Sequence, residues 1–99
     1  MKSGIELIAA ERQRQLEVED WNAQHDDCHD EGEMAQAAIC YATPESDRKY
    51  HNNYLKPAYL KGWPWEMTQW KPSPDNRIKE LTKAGALIAA EIDRLQRLP

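Results

Sequence analysis

Apolar residues recur at helical spacing in three stretches of the chain, separated by one polar loop and by one long segment without a period. The first stretch opens on Ser3-Gly4-Ile5-Glu6, a capping box in which the serine hydroxyl and the glutamate satisfy each other's backbone amides. Ile5, Ile8, Arg12, Gln15 and Leu16 then share a face that starts apolar and turns polar around Glu11-Arg12-Gln13-Arg14-Gln15. This predicts a helix to about Val18. Trp21 and residues 22–30 are too polar for a core and rich in side chains that bond their own backbone, so they predict a loop. Asp30-x-x-Glu33 repeats the capping pattern with Asp30 as the cap, and Met34, Ala37, Ala38 and Tyr41 follow on one face. The second helix is expected over about Glu31 to Ala42, with small Ala35 and Ala38 allowing a close neighbour.

From Thr43 to Pro72 four prolines and scattered tyrosines and tryptophans break any pattern. An irregular connection is predicted there, with one short helix around Asp47 to Leu55 and aromatics that lid the core. Ser73-Pro74-Asp75 supplies an N-cap, a proline at the first helical position and an early acid. The third helix follows, carrying the stripe Ile78, Leu81, Ala84/Gly85, Ile88, Ile92 and Leu95 as its packing face, with Arg94 and Arg97 where the dipole favours cations. No strand alternation appears. The expected fold is all-α, a small bundle of three main helices in a single domain of residues 1–99, with 43–72 as an irregular insert.

Composition adds that Ala, Trp and Tyr supply much of the apolar content of these 99 residues, with no Phe. So small a core predicts a homo-oligomer. A net charge of −4 argues against long nucleic acid as a partner, while leaving a free nucleotide possible through carboxylates that hold a divalent cation. No apolar run suits a secretory signal or a membrane span, and Cys28 and Cys40 are too few for a disulfide framework. A cytoplasmic protein with two thiols and no membrane partner is expected.

The densest chemistry lies in His25-Asp26-Asp27-Cys28-His29-Asp30-Glu31-Gly32-Glu33, where two His, one Cys, three Asp and two Glu fall within nine residues. Oxygen ligands gathered at a helix start suit Mg²⁺, with positions left for phosphate oxygens. Glu33 and Asp27 are the candidate catalytic acids; Asp27, Glu33 and Glu91 are the candidate metal ligands, Glu91 lying at the margin of the last helix's packing face. His25, Asp26, His29, Glu80 and Lys83 complete the candidate set. The same acids would equally serve as caps and dipole partners, and Glu91 would equally pair with Arg94. A zinc site from His25, Cys28, His29 and Cys40 has suitable donors at unfamiliar spacing. Trp63-Pro64-Trp65 and Trp70-Lys71-Pro72 offer either stacking platforms for a base or cover for the core.

Glu11-Arg12-Gln13-Arg14-Gln15, Trp21, His25-Asp26-Asp27-x-His29-x-x-Gly32-Glu33, Ala37-Ala38-x-x-Tyr41-Ala42, Trp63-Pro64-Trp65, Lys71-Pro72 and Lys83-Ala84-Gly85-Ala86-Leu87-Ile88 together resemble small proteins of bacteriophages and prophages. More distantly, the early Glu-Arg-x-Arg-Gln helix, the tryptophan, the acidic loop and the last helix are similar to MazG-like all-α nucleotide pyrophosphohydrolases. That resemblance implies hydrolysis of nucleoside triphosphates with Mg²⁺ held by acids on two helices, Glu33 matching one of the first and Glu80 one of the second. Gln36 and Ala37 stand where the family repeats its acidic motif, and Lys83 where it places an Asp. The implied function is a phage-derived nucleotide-handling domain, either a divergent Mg²⁺-dependent pyrophosphohydrolase or a binder that does not cleave. The alternative is a phage accessory protein whose acidic helical surface inhibits a host defence protein, acting in the host cytoplasm. A third reading is a structural oligomer whose motif residues stabilise a helix start.

Overall fold

The computed structural model describes residues 1–53 and 56–99, with the backbone alone at 52, 53 and 56–58. Helix α1 runs Gly4–Glu17, α2 Ala23–Asp27, α3 Glu33–Ala42 and α4 Arg77–Gln96. Strands β1 (Tyr50–Asn53) and β2 (Lys56–Leu60) form an antiparallel hairpin pairing Tyr50 with Leu60 and His51 with Tyr59. Single 3-10 turns occupy Glu45–Asp47 and Met67–Gln69. The chain is mainly helical, as expected.

The capping box at Ser3 is formed, the serine hydroxyl accepting from the Glu6 amide at 3.2 Å and the Glu6 carboxylate from the Ser3 amide at 3.0 Å. Other expectations need correction. The loop after Trp21 contains the short helix α2, capped by the Asn22 side-chain oxygen Oδ1 accepting from the His25 amide at 2.9 Å. Helix α3 starts from Gly32 in the left-handed conformation (φ 81°) with no side-chain cap, so Asp30 does not cap it. Glycine is the residue that adopts this backbone without strain. The short helix expected around Asp47 to Leu55 is replaced by the 3-10 turn and β1, Tyr54 and Leu55 lying outside the described residues. Helix α4 is capped by Asn76 rather than Ser73, so it begins three residues later than predicted, Pro74 and Asp75 forming the turn before it.

Helix α4 is the spine on which α1 and α3 both pack. Ala37, Ala38 and Tyr41 of α3 join Ala84 and Leu87 of α4 in the core, the small side chains bringing the helices close. Trp70 and Leu60 close the core, and Trp21, Trp63, Trp65 and Met67 cover it, which is the lid that the sequence predicts. The stripe Ile78, Leu81, Ile88, Ile92 and Leu95 is not that packing face. All five are exposed, and the helix buries Glu80, Ala84, Ala86, Leu87, Ala90 and Arg94 instead.

Glu80 is buried because two arginines meet it. Arg48 approaches its carboxylate at 3.0 Å and Arg77 at 3.2 Å, while the Ser73 amide donates to it at 3.0 Å. Those arginines also donate to the last carbonyls of α3: Arg48 to Cys40 at 3.2 Å and Tyr41 at 3.3 Å, Arg77 to Tyr41 at 2.9 Å. Because α3 has no basic residue in its own last turn, cations from elsewhere cap its C-terminus.

Helix α1 crosses α4 at Gly85, where an added Cβ would run into Cδ1 and Cγ1 of Ile8. Overpacking at such a contact costs about 1–3 kcal/mol, more than the roughly 1 kcal/mol of helix propensity gained from alanine. Gly85→Ala should therefore lower stability in a urea titration, and Ile8→Ala added to it should recover part of the loss. A simple gain in stability would show that the crossing is looser than described.

Candidate functional site

A cavity of about 750 Å³ opens between α1, the segment 63–71 and the face of α4 that carries Lys83 and Leu87. Its volume falls within the range of small-molecule sites. Five of its lining residues are aromatic rings in series: Trp21 stacks on His25 with centroids 5.3 Å apart, His25 meets His29 edge-on at 4.9 Å, His29 meets Trp65 at 5.1 Å, and Trp65 meets Trp63 at 5.4 Å. Trp21 is brought back by Asp20, whose left-handed backbone (φ 58°) turns the chain so that the Trp21 amide donates to the Gln15 carbonyl at 2.9 Å. Aspartate is among the few residues that tolerate this conformation.

Both histidines are held by carboxylates. Nδ1 of His25 lies 2.9 Å from Asp26, and Nδ1 of His29 lies 3.2 Å from Glu33. A carboxylate accepts, so each Nδ1 carries a proton. Asp26 is fully buried and is anchored in turn by Arg12 at 2.7 Å, a pair that fastens α2 to α1. Burial pushes the Glu33 carboxyl up, but the Glu31 amide, its own amide and His29 outweigh that and leave it below the usual range.

Among the described residues, two buried side-chain polar atoms lack a partner, Oε1 of Gln15 and Nε1 of Trp65, and both residues line this cavity. Gln15 is 1 % exposed and its amide nitrogen donates to Glu11 at 3.3 Å. Because the Glu11 carboxylate can only accept there, the orientation is fixed and the amide oxygen is the atom left over. Unpaired buried polar groups are costly and few in folded proteins. Here one is an acceptor and one a donor.

Cations border the same space. Nζ of Lys83 donates to the Lys71 carbonyl at 3.3 Å and stands 5.3 Å from the Tyr41 ring. Burial pushes the Lys83 ammonium down and Lys79 adds its repulsion, with Glu11 opposing both. Arg14 is saturated by Glu11 at 2.7 Å and Glu19 at 2.9 Å. Burial raises the Glu11 carboxyl, yet Arg14 and Gln15 bring it below the usual value.

The remaining candidates are dispersed. Asp27 pairs with Arg97 at 2.7 Å near solvent, Glu91 pairs with Arg94 at 2.6 Å, and Glu80 is occupied by Arg48 and Arg77. The structure thus does not bring Asp27, Glu33 and Glu91 together, and no group of three or more His, Cys, Asp or Glu among the described residues is placed to hold a metal. Cys28 is an exposed thiol and Cys40 a buried one in the core, so neither joins the histidines in a zinc centre. Of the residues that the sequence singles out, His25, His29 and Lys83 line this cavity, together with Glu11, Gln15 and Trp21, which it does not put in the candidate set. The available signal for Gln15 was an amide on the apolar face of α1.

Comparison with protein-family models, curated proteins and solved structures finds no match to this chain.

Proposed function

We propose that this chain is a nucleotide-handling domain that binds, without metal, a planar heteroaromatic ligand carrying little negative charge, a nucleoside monophosphate being the best fit. The reading rests on one observation: an unpaired acceptor, Gln15 Oε1, and an unpaired donor, Trp65 Nε1, belong to two residues that line the same aromatic cavity. Indole faces stack on any heterocycle, and a base edge that offers an amine beside a ring nitrogen or carbonyl would satisfy both orphaned atoms. A site built to hydrogen-bond a ligand edge rejects analogues lacking it.

Charge narrows the ligand further. Arg14 is neutralised by its two glutamates, leaving Lys71 and Lys83 to meet an anion with Glu66 also on the lining. Two lysines suit one phosphate; a triphosphate would need a divalent cation, and the acids among the described residues do not converge to hold Mg²⁺. The binder is therefore favoured over the pyrophosphohydrolase.

Isothermal titration against nucleoside mono-, di- and triphosphates, with and without Mg²⁺, tests this reading. Monophosphate binding should be indifferent to Mg²⁺. Lys83→Met should weaken it roughly tenfold to a hundredfold, as loss of a charge-assisted hydrogen bond does, while raising the melting temperature of the unliganded protein by removing a desolvated charge. No heat with any nucleotide would sink the proposal. Mg²⁺-dependent binding lost in Asp27→Ala and Glu33→Ala, but kept in Lys83→Met, would restore the metal reading in its place.

A further inference from the structure

We infer that the exposed apolar face of α4 is the contact surface for a second copy of this chain. Ile78, Leu81, Ile88, Ile92 and Leu95 keep the register of steps of three and four with which one helix meets another along a seam, the place between Leu81 and Ile88 being Gly85, which Ile8 of α1 covers. No charged residue interrupts that register. The five large side chains are between 47 % and 67 % exposed, and Ile5 of α1, one turn before the Ile8 that packs on Gly85, is 82 % exposed.

The dimensions of the protomer point the same way. Its accessible surface is 6946 Å² for 11.5 kDa, against about 5800 Å² expected of a folded monomer of that mass. Its radius of gyration is 14.2 Å, against about 12.6 Å for a compact domain of this length. The molecule is a slab of 42 × 37 × 21 Å. The excess surface, on the order of 1000 Å², is close to the roughly 800 Å² that each partner hides in a standard interface.

A second copy fits this face better than other occupants. An uncharged seam of regular period is self-complementary and closes on itself about a two-fold axis, leaving no open end. A lipid surface would call for free lysines and arginines bordering the apolar face, whereas on this helix Arg77 and Arg94 are paired with Glu80 and Glu91, Lys83 lines the cavity, and the net charge is −4.

Sedimentation velocity of the full chain over a wide concentration range decides the matter. The expected species has twice the chain mass. Ile88→Glu and Ile92→Glu, both at exposed positions, should weaken association by more than about a hundredfold, since each would bury an unpaired carboxylate, with the helical circular-dichroism spectrum retained. Tyr59→Glu on the hairpin should leave the dimer intact. If the glutamate variants fail to fold, hydroxyl-radical footprinting of the wild type takes over: protection of Ile88, Ile92 and Leu95 that grows with concentration supports the interface, and constant labelling overturns it. A wild type that stays monomeric, or is a monomer that sediments with phosphatidylglycerol vesicles, or forms a dimer indifferent to both substitutions, also overturns it.

Discussion

Glu80→Ala is expected to cost about 3–5 kcal/mol of folding stability, the usual consequence of removing one partner from a buried ion pair. The side chains of Glu80 and Arg48 are each 1 % exposed and 3.0 Å apart, so deleting the carboxylate leaves a guanidinium desolvated with only the Cys40 and Tyr41 carbonyls and the Trp70 ring for company. In a domain of this size the loss should lower the melting temperature by more than about 10 °C. Glu80→Gln, which keeps acceptors for the Ser73 amide, should lose less. The pH dependence carries a second signature. Burial pushes the Glu80 carboxyl up, but the Ser73 amide and Arg48 overcome it, so its folded value lies below the unfolded one. A depressed carboxylate contributes stability that is complete above its unfolded pKa and is lost as pH falls through the folded value. That acid limb should be present in the wild type and reduced in Glu80→Gln. A mild loss in Glu80→Ala, or an unchanged acid limb, would mean that Glu80 does not organise the end of α3.

The second large effect is expected at Asp26. Asp26→Ala strips Arg12 of its carboxylate and releases His25, so about 3 kcal/mol should be lost and α2 should come away from α1. Hydrogen exchange would then rise over residues 23–29 before the rest of the molecule. The neighbouring acid is the control. Asp27 pairs with Arg97 near solvent, and Asp27→Ala should cost less than about 1 kcal/mol. Equal losses at the two positions, measured by urea denaturation, would contradict the division between buried tie and surface pair.

These two residues also mark how far the sequence was legible. Ser3 and Glu6 predict the start of α1 because a capping box is closed within four residues. The Met34, Ala37, Ala38 and Tyr41 face of α3 was legible for the same reason, since an apolar face next to a polar one has one sensible orientation. In α4 the period told which residues share a face and not which face turns inward. The inward face carries Glu80 and Arg94, whose burial depends for Glu80 on Arg48, more than thirty residues away and invisible to local pattern. The hairpin was missed because His51-Asn52-Asn53 has no apolar alternation and β2 contains Pro57.

The candidate site was legible as a density of polar groups and not as a geometry. His25, His29 and Lys83 do reach one cavity, whereas Asp27, Glu33 and Glu91 each engage a cationic or imidazole neighbour of their own. Acids adjacent in sequence at a helix start point to different sides once α2 forms, which is why a cluster in the sequence need not be a cluster in space. The unpaired atoms of Gln15 and Trp65 follow only from the way the fold sets α1 and the 63–71 segment around one cavity.

The claim that these two atoms recognise a ligand can be tested at the indole itself. The four tryptophan Nε1–H groups give separate signals in a nitrogen-15 correlation spectrum, and Trp65→Phe assigns the one that matters. Titrating the protein with a nucleoside monophosphate should move the Trp65 signal in the direction of a new hydrogen bond, with the shift weakened in Gln15→Leu. A Trp65 indole signal that stays in place while the protein is saturated with every nucleotide tried would contradict the account.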